Sequence, residues 1–182
     1  MNGLESNPEI SNAIFSIAKV DLLDPIRPIL QGVFNPRPID NKAIDQLVEN
    51  MELVGVQSDR YSNAIPILAN PDHIDPLSIF NDITRISQAP DLKLSDRGLQ
   101  EVKHFLAAGG RHRTEALRVV YTKLQEKIKK LNSKIEELEK KEEKKKKKTT
   151  EKLNEFRQEL KILKAKEVGL TKWTVILYNE GK

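Results

Sequence analysis

Two apolar stripes that mirror each other about a lysine run constrain this chain more than any other feature. Between Leu117 and Val168, apolar residues recur at alternating spacings of three and four: Leu124, Ile128, Leu131, Ile135 and Leu138, then, after a polar gap, Leu153, Phe156, Leu160 and Leu163. That is the rhythm of a helical seam. The pairs Leu138/Leu153, Ile135/Phe156, Leu131/Leu160 and Ile128/Leu163 have position numbers that each sum to 291, so the stripes face one another if the chain doubles back near Lys144 to Thr150. One uninterrupted helix would put its next seam positions at Glu142, Lys145, Thr149 and Lys152, all polar, and would meet Leu153 one residue out of phase. The pattern predicts an antiparallel helical hairpin over 117–168, with arms of about 30 to 40 Å at 1.5 Å per residue. A seam shared with a second chain is the alternative, but the mirror symmetry is already satisfied within one chain.

A hairpin returns the chain to where it left. Gly169 then reads as a helix stop, and Trp173-Thr174-Val175-Ile176-Leu177-Tyr178-Asn179 is a strand by propensity and length. Its partners must come from the first half of the sequence.

The point of departure is Gly109-Gly110-Arg111-His112-Arg113, where the apolar run Val102 to Ala108 gives way to the helical pattern. Glycines at a strand-to-helix corner let a ligand approach the backbone, the first-turn N–H groups of the helix lack intrahelical partners, and Arg111 and Arg113 offer forked donors to phosphate oxygens. The plainer reading is a tight turn with solvated arginines, since short glycine motifs are common.

Upstream, Asp40 to Leu53 places Ile44, Leu47, Val48 and Met51 on one helical face, with Asp40 or Asn41 as cap and Gly55 as terminator. Ala64 to Ala69 reads as a short strand, and Pro66 within it points to a sheet edge or irregular pairing. An earlier strand is expected within Ala13–Val20 or Ile29–Phe34. The proline-rich stretch Asn70 to Ser95 reads as a loop holding one short helix around Leu77 to Ile86.

The 182 residues carry no cysteine, which excludes disulfide scaffolds, thiolate metal sites and cysteine nucleophiles. Residues 1–12 lack the pattern of a secretory leader, and nowhere do eighteen apolar residues run together, so an intracellular setting in cytoplasm, nucleus or nucleoid is expected. The net charge of +4 hides an asymmetry: residues 1–110 hold 9 Lys and Arg against 15 Asp and Glu, whereas 111–182 hold 22 against 12. Much of the excess is Lys140-Lys141 and Lys144 to Lys148. No aromatic residue interrupts that run to stack on bases, so a solvated helix tip is favoured over a nucleic-acid contact. His73, His104 and His112 are scattered, and Asp72-His73-Ile74-Asp75 is a weak ligand set, so no metal site is expected from side chains.

Asn35-Pro36-Arg37-Pro38, a helix, Gly55-Val56-Gln57, a strand at Ile65 to Ala69, a strand at Lys103 to Ala108 and Gly109-Gly110-Arg111-His112-Arg113-Thr114-Glu115-Ala116 occur in an order that resembles the ParB/sulfiredoxin superfamily. The resemblance spans roughly Ile26 to Val120 plus the strand at Trp173 to Asn179. It implies an α+β fold: a small mixed-sheet ParB/sulfiredoxin-like domain over 13–182, a flexible N-terminus at 1–12, and a protruding antiparallel coiled-coil hairpin inserted at 117–168. It implies nucleotide binding, to ATP or CTP with Mg²⁺, through phosphate contacts from Gly109, Gly110, Arg111, Arg113 and Thr114, with Arg37 as a second clamp. Glu115 and His112 are the catalytic candidates for NTP hydrolase or kinase-like chemistry. The bland counterparts are a Glu that complements the helix dipole and a His that caps a turn. Sulfiredoxin's cysteine falls at Arg111, so its reduction chemistry is excluded. Gln57 follows Gly55 by two positions rather than the family's three, which weakens it as a phosphate contact. No helix-turn-helix pattern follows the last strand in these 182 residues, so sequence-specific DNA reading is not expected. The alternative function is a non-catalytic coiled-coil interaction module, whose basic hairpin meets a protein or, without sequence preference, nucleic acid.

Overall fold

The computed structural model describes residues 13–32, 38–142 and 148–181. It is an α+β structure with a five-stranded mixed sheet. The chain divides into two compact units, Met1–Ala116 with Lys172–Lys182, and Leu117–Thr171.

In the first unit the elements are β1 (Ile14–Asp21), β2 (Ile29–Gln31), α1 (Asn41–Val54), β3 (Ile65–Ala69), α2 (Asp96–Glu101), β4 (Phe105–Ala107), the first turns of α3 (Arg111–Glu142), and β5 (Lys172–Asn179). The strand order is β1-β5-β3-β4-β2. β1/β5 and β3/β4 are antiparallel, while β3/β5 and β2/β4 are parallel. β5 comes last in sequence and lies inside the sheet. Trp173, Thr174, Val175, Ile176 and Leu177 are consecutively buried, which is why this strand reads as a continuous apolar run rather than an alternating one. The outer edge of β1 is covered by loop backbone: Ile17 N–H donates to Phe80 O at 2.7 Å, Lys19 N–H to Pro90 O at 2.7 Å, and Leu92 N–H to Lys19 O at 2.8 Å. An edge satisfied in this way offers no template to another strand.

One expectation is narrowed and another needs correction. Of the two readings of Pro66, the sheet edge is ruled out because β3 lies between β5 and β4, and the curtailed pairing with β4 agrees with the other, an irregular pairing. The proline is tolerated because the β3/β4 register covers only Ile67 and Leu68. The Pro66 carbonyl accepts from Ala108 N–H at 2.9 Å, so its ring nitrogen points to the same side, at the end of that short ladder. No short α-helix forms around Leu77 to Ile86. Three 3₁₀ turns occupy Pro71–His73, Pro76–Ser78 and Ile83–Gln88. Each is started by a side chain that takes the N–H two residues on: Asn70 from Asp72, Asp75 from Leu77, and Asp82 from Thr84. Such Asx turns, with proline at the first position of two of them, compete with a continuous helical ladder.

α2 was not anticipated. Ser95 caps it by accepting from Gly98 N–H at 3.1 Å, and a Cβ on Gly98 would lie 2.1 Å from the His73 carbonyl oxygen. Only glycine allows that approach. α1 follows expectation: Asp40 accepts from Lys42 and Ala43 N–H, Ile44 and Val48 are buried, and Gly55 ends the helix.

In the second unit, α3 and α4 (Lys148–Glu167) pack through Leu131, Ile135 and Leu153, flanked by Leu138, Phe156, Leu160 and Leu163. Arg157 donates to Glu139 at 2.7 Å, and Tyr121 and Gln125 both donate to Glu167. The partners rise in number along one helix and fall along the other. The expected reversal and its lysines lie largely outside the described residues.

Candidate functional site

β4 ends at Ala107 and α3 begins at Arg111, so Gly109 and Gly110 form the corner between them. Gly110 has φ of 84°, a conformation that a side chain disfavours. It has a second reason to be glycine, since a Cβ there would lie 2.7 Å from Ile65 Cγ1 in the buried strand β3. Gly109 is less restricted, with the Pro66 ring at 3.6 Å from the equivalent point. Gly110 thus brings the start of α3 hard against the sheet.

The first intrahelical bond of α3 runs from Thr114 N–H to Gly110 O at 3.0 Å. The N–H groups of Arg111, His112 and Arg113 precede the ladder and have no intrahelical acceptor. These three residues border a cleft of about 470 Å³ between α1 and the corner, lined by Ala43, Gln46, Leu47 and Asn50 on one side and Gly110 to Arg113 on the other. Among the described residues, no carboxylate lines it. Two amides, one arginine without a hydrogen bond or ion pair among the described residues (Arg111), and the positive end of a 32-residue helix make the lining a donor surface.

His112 and Arg113 are already engaged. The Nε2 of His112 accepts from Asp40 N–H at 2.9 Å, which requires a neutral ring with its proton on Nδ1. His112 therefore ties the cap residue of α1 to the first turn of α3. Arg113 donates to Ser62 O at 3.1 Å and Asn63 O at 3.4 Å, and burial pulls its guanidinium below the ordinary arginine value. It braces the turn that leads into β3.

Thr114 is buried, and its hydroxyl donates back to the Gly110 carbonyl at 3.2 Å, a bond that directs it along the helix. Gly109, Thr114 and Glu115 do not line the cleft. Arg37 lies outside the described residues. Gln46 and Asn50 were missed in the sequence. Their signal was weak: two amides one helical turn apart on α1, beside the buried stripe of Ile44 and Val48.

Among the described residues, no three His, Asp or Glu side chains gather as a metal set, and no helix is long and apolar enough to cross a membrane. No family model, curated protein or solved structure matches the chain.

Proposed function

We propose that the first unit binds the phosphates of a nucleotide in the cleft between α1 and the start of α3. The observation that carries this reading is a cleft of about 470 Å³ whose polar lining is Gln46, Asn50, Arg111, His112 and Arg113, with no acid among them. In this reading the unpaired N–H groups of the first turn and the Arg111 guanidinium take the phosphate oxygens, as helix N-termini and arginine forks do elsewhere. Gly110 serves by close packing on Ile65, and Arg113 by holding the turn at Ser62 and Asn63. A nucleoside triphosphate such as ATP or CTP is the ligand class, with Mg²⁺ brought by the phosphates themselves.

The order of box, helix, strand, glycine corner, helix and returning strand supports the ParB/sulfiredoxin-like assignment, and the opposed contacts of α3 and α4 support an inserted antiparallel coiled-coil hairpin. Turnover ranks below binding. His112 Nε2 is engaged by Asp40 N–H, so general-base work at that atom requires the bond to break first. Thermal-shift titration with ATP, CTP, GTP and their diphosphates, with and without Mg²⁺, tests the reading. A stabilisation that grows with ligand concentration supports it. A flat response to every nucleotide at millimolar concentration favours the interaction module instead.

A further inference from the structure

Of the residues that line the cleft at the glycine corner, His112 is the one whose side-chain type changes charge between about pH 5 and 8. Its ring ties the two walls together. The residue belongs to the first turn of α3, and its Nε2 accepts from the N–H of Asp40, the cap of α1. An accepting Nε2 carries no proton, so this bond exists only while the ring is neutral.

The charges around the empty cleft favour that neutral form. Arg111 and Arg113 flank His112 in sequence, and the start of α3 adds the positive end of the helix dipole. From α1 come Lys42, in its first turn, and the Asp40 carboxylate, which is engaged with the N–H groups of Lys42 and Ala43. Asp45 and Glu49 of α1 and Glu115 of α3 do not line the cleft. Ile65 and Pro66, which pack on the corner from β3, bring no charge. A phosphate group held by the first turn reverses the balance, because an opposite charge within about 4 to 6 Å favours the protonated ring by tenfold or more. The bond given up in exchange is a single neutral one. Asp40 is exposed, so its released N–H finds water.

Resting on the reading of the cleft as a phosphate site, we infer that His112 is a proton-linked latch of that site. The phosphate ligand binds together with up to one proton from solvent, which enters at Nε2, breaks the bond to Asp40 N–H and leaves a cation beside the phosphates. The start of α1 is tied to α3 in the empty cleft and released in the filled one. A ring that is protonated more readily in the filled state than in the empty one sets the sign. Affinity is greatest at pH values low enough to protonate the ring in the empty cleft, and it falls as pH rises until the ring is neutral in both states.

Calorimetric titration of the full chain with MgATP and MgCTP tests the latch, at pH 6, 7 and 8 to span the range in which imidazole titrates. Paired buffers of different ionisation enthalpy count the protons taken up. His112→Gln is the reference: its amide oxygen can still accept from Asp40 N–H, but it does not titrate, and the titration of the nucleotide itself is common to both proteins. Wild type should take up a further fraction of a proton at pH 7, and the ratio of wild-type to variant affinity should rise about tenfold or more from pH 8 to pH 6. NMR of the wild type keeps the test decisive if His112→Gln does not fold. In the saturated complex the His112 ring should be cationic, and the Asp40 amide should exchange faster than in the free protein. Binding with no proton uptake beyond that of the variant, or a saturated complex in which the ring stays neutral and the Asp40 amide stays protected, overturns the latch and leaves the phosphate site standing. Absence of binding by both nucleotides at every pH removes the phosphate site and the latch with it.

Discussion

Arg113 and Trp173 share one acceptor: the guanidinium donates to the Asn63 carbonyl at 3.4 Å and the indole N–H donates to the same oxygen at 2.8 Å. The first turn of α3 and the first residues of β5 are thereby fixed to one point, the turn that launches β3. Arg113→Ala removes two donors to carbonyls and should cost about 1 to 3 kcal/mol, which lowers Tm by a few degrees for a chain of this size. Arg113→Lys should recover part of the loss. Differential scanning calorimetry checks both, and an Arg113→Ala melt identical to wild type would contradict the bracing role.

Gly110→Ala should destabilise the fold and Gly109→Ala should not. At Gly110 the new methyl meets Ile65 at 2.7 Å and the backbone has φ of 84°, so overpacking and backbone strain add to roughly 2 to 5 kcal/mol. At Gly109 the neighbouring ring stands at an ordinary contact distance. Denaturant midpoints separate the two, and equal midpoints would show that Ile65 can move aside.

Acid should loosen the attachment of α2 through Glu101. Its carboxyl is held below the usual carboxylate value by a hydrogen bond from Arg97 and by another with His73. A depressed folded-state pKa contributes stability that is present above the ordinary value of 4.5 and is lost as pH falls through the lower, folded-state value. Glu101→Gln should therefore flatten the dependence of Tm on pH below about pH 5 while lowering Tm at neutral pH. A slope unchanged by the substitution would place the acid sensitivity elsewhere.

The second unit should be separable. Leu131, Ile135 and Leu153 with their neighbours form an apolar cluster of their own, so replacing residues 123–166 with a short Gly/Ser bridge should leave a domain that melts cooperatively with less helix by circular dichroism. Truncation before Lys172 should not. It removes five consecutive buried residues from an interior strand, each worth about 1.5 to 3 kcal/mol for the large apolar ones, against a net stability of about 5 to 15 kcal/mol. Loss of cooperativity in the bridged protein would show that the first unit depends on the second.

The elements written in local chemistry were legible in the sequence. Asp40 and Gly55 bound α1, the β-branched and aromatic run at Trp173 to Asn179 announced β5, and the seam residues from Leu131 to Leu163 announced the contact of α3 with α4. What escaped depends on distant partners. Pro66 left a sheet edge and an irregular pairing both open because local propensity cannot say how soon the neighbouring strand β4 ends. The 3₁₀ turns between Pro71 and Gln88 replaced a helix because Asn70, Asp75 and Asp82 bond to their own backbone. At the candidate site, Arg113 offered itself as a phosphate clamp, whereas its carbonyl partners lie some fifty residues upstream. The amides of Gln46 and Asn50 drew no notice because nothing local connects them to the glycine corner.

The most direct measurement is the affinity of wild type and Arg111→Ala for ATP and for CTP with Mg²⁺, by calorimetry, alongside their melting temperatures. Arg111 lines the cleft without a hydrogen bond or ion pair among the described residues, so its removal should leave Tm within about a degree. The lost charge-assisted contact should weaken the bound nucleotide by about ten- to a hundredfold, the equivalent of roughly 1.5 to 3 kcal/mol. Wild-type protein that binds neither nucleotide at millimolar concentration, or an Arg111→Ala variant that binds as tightly as wild type, would contradict the proposed phosphate site.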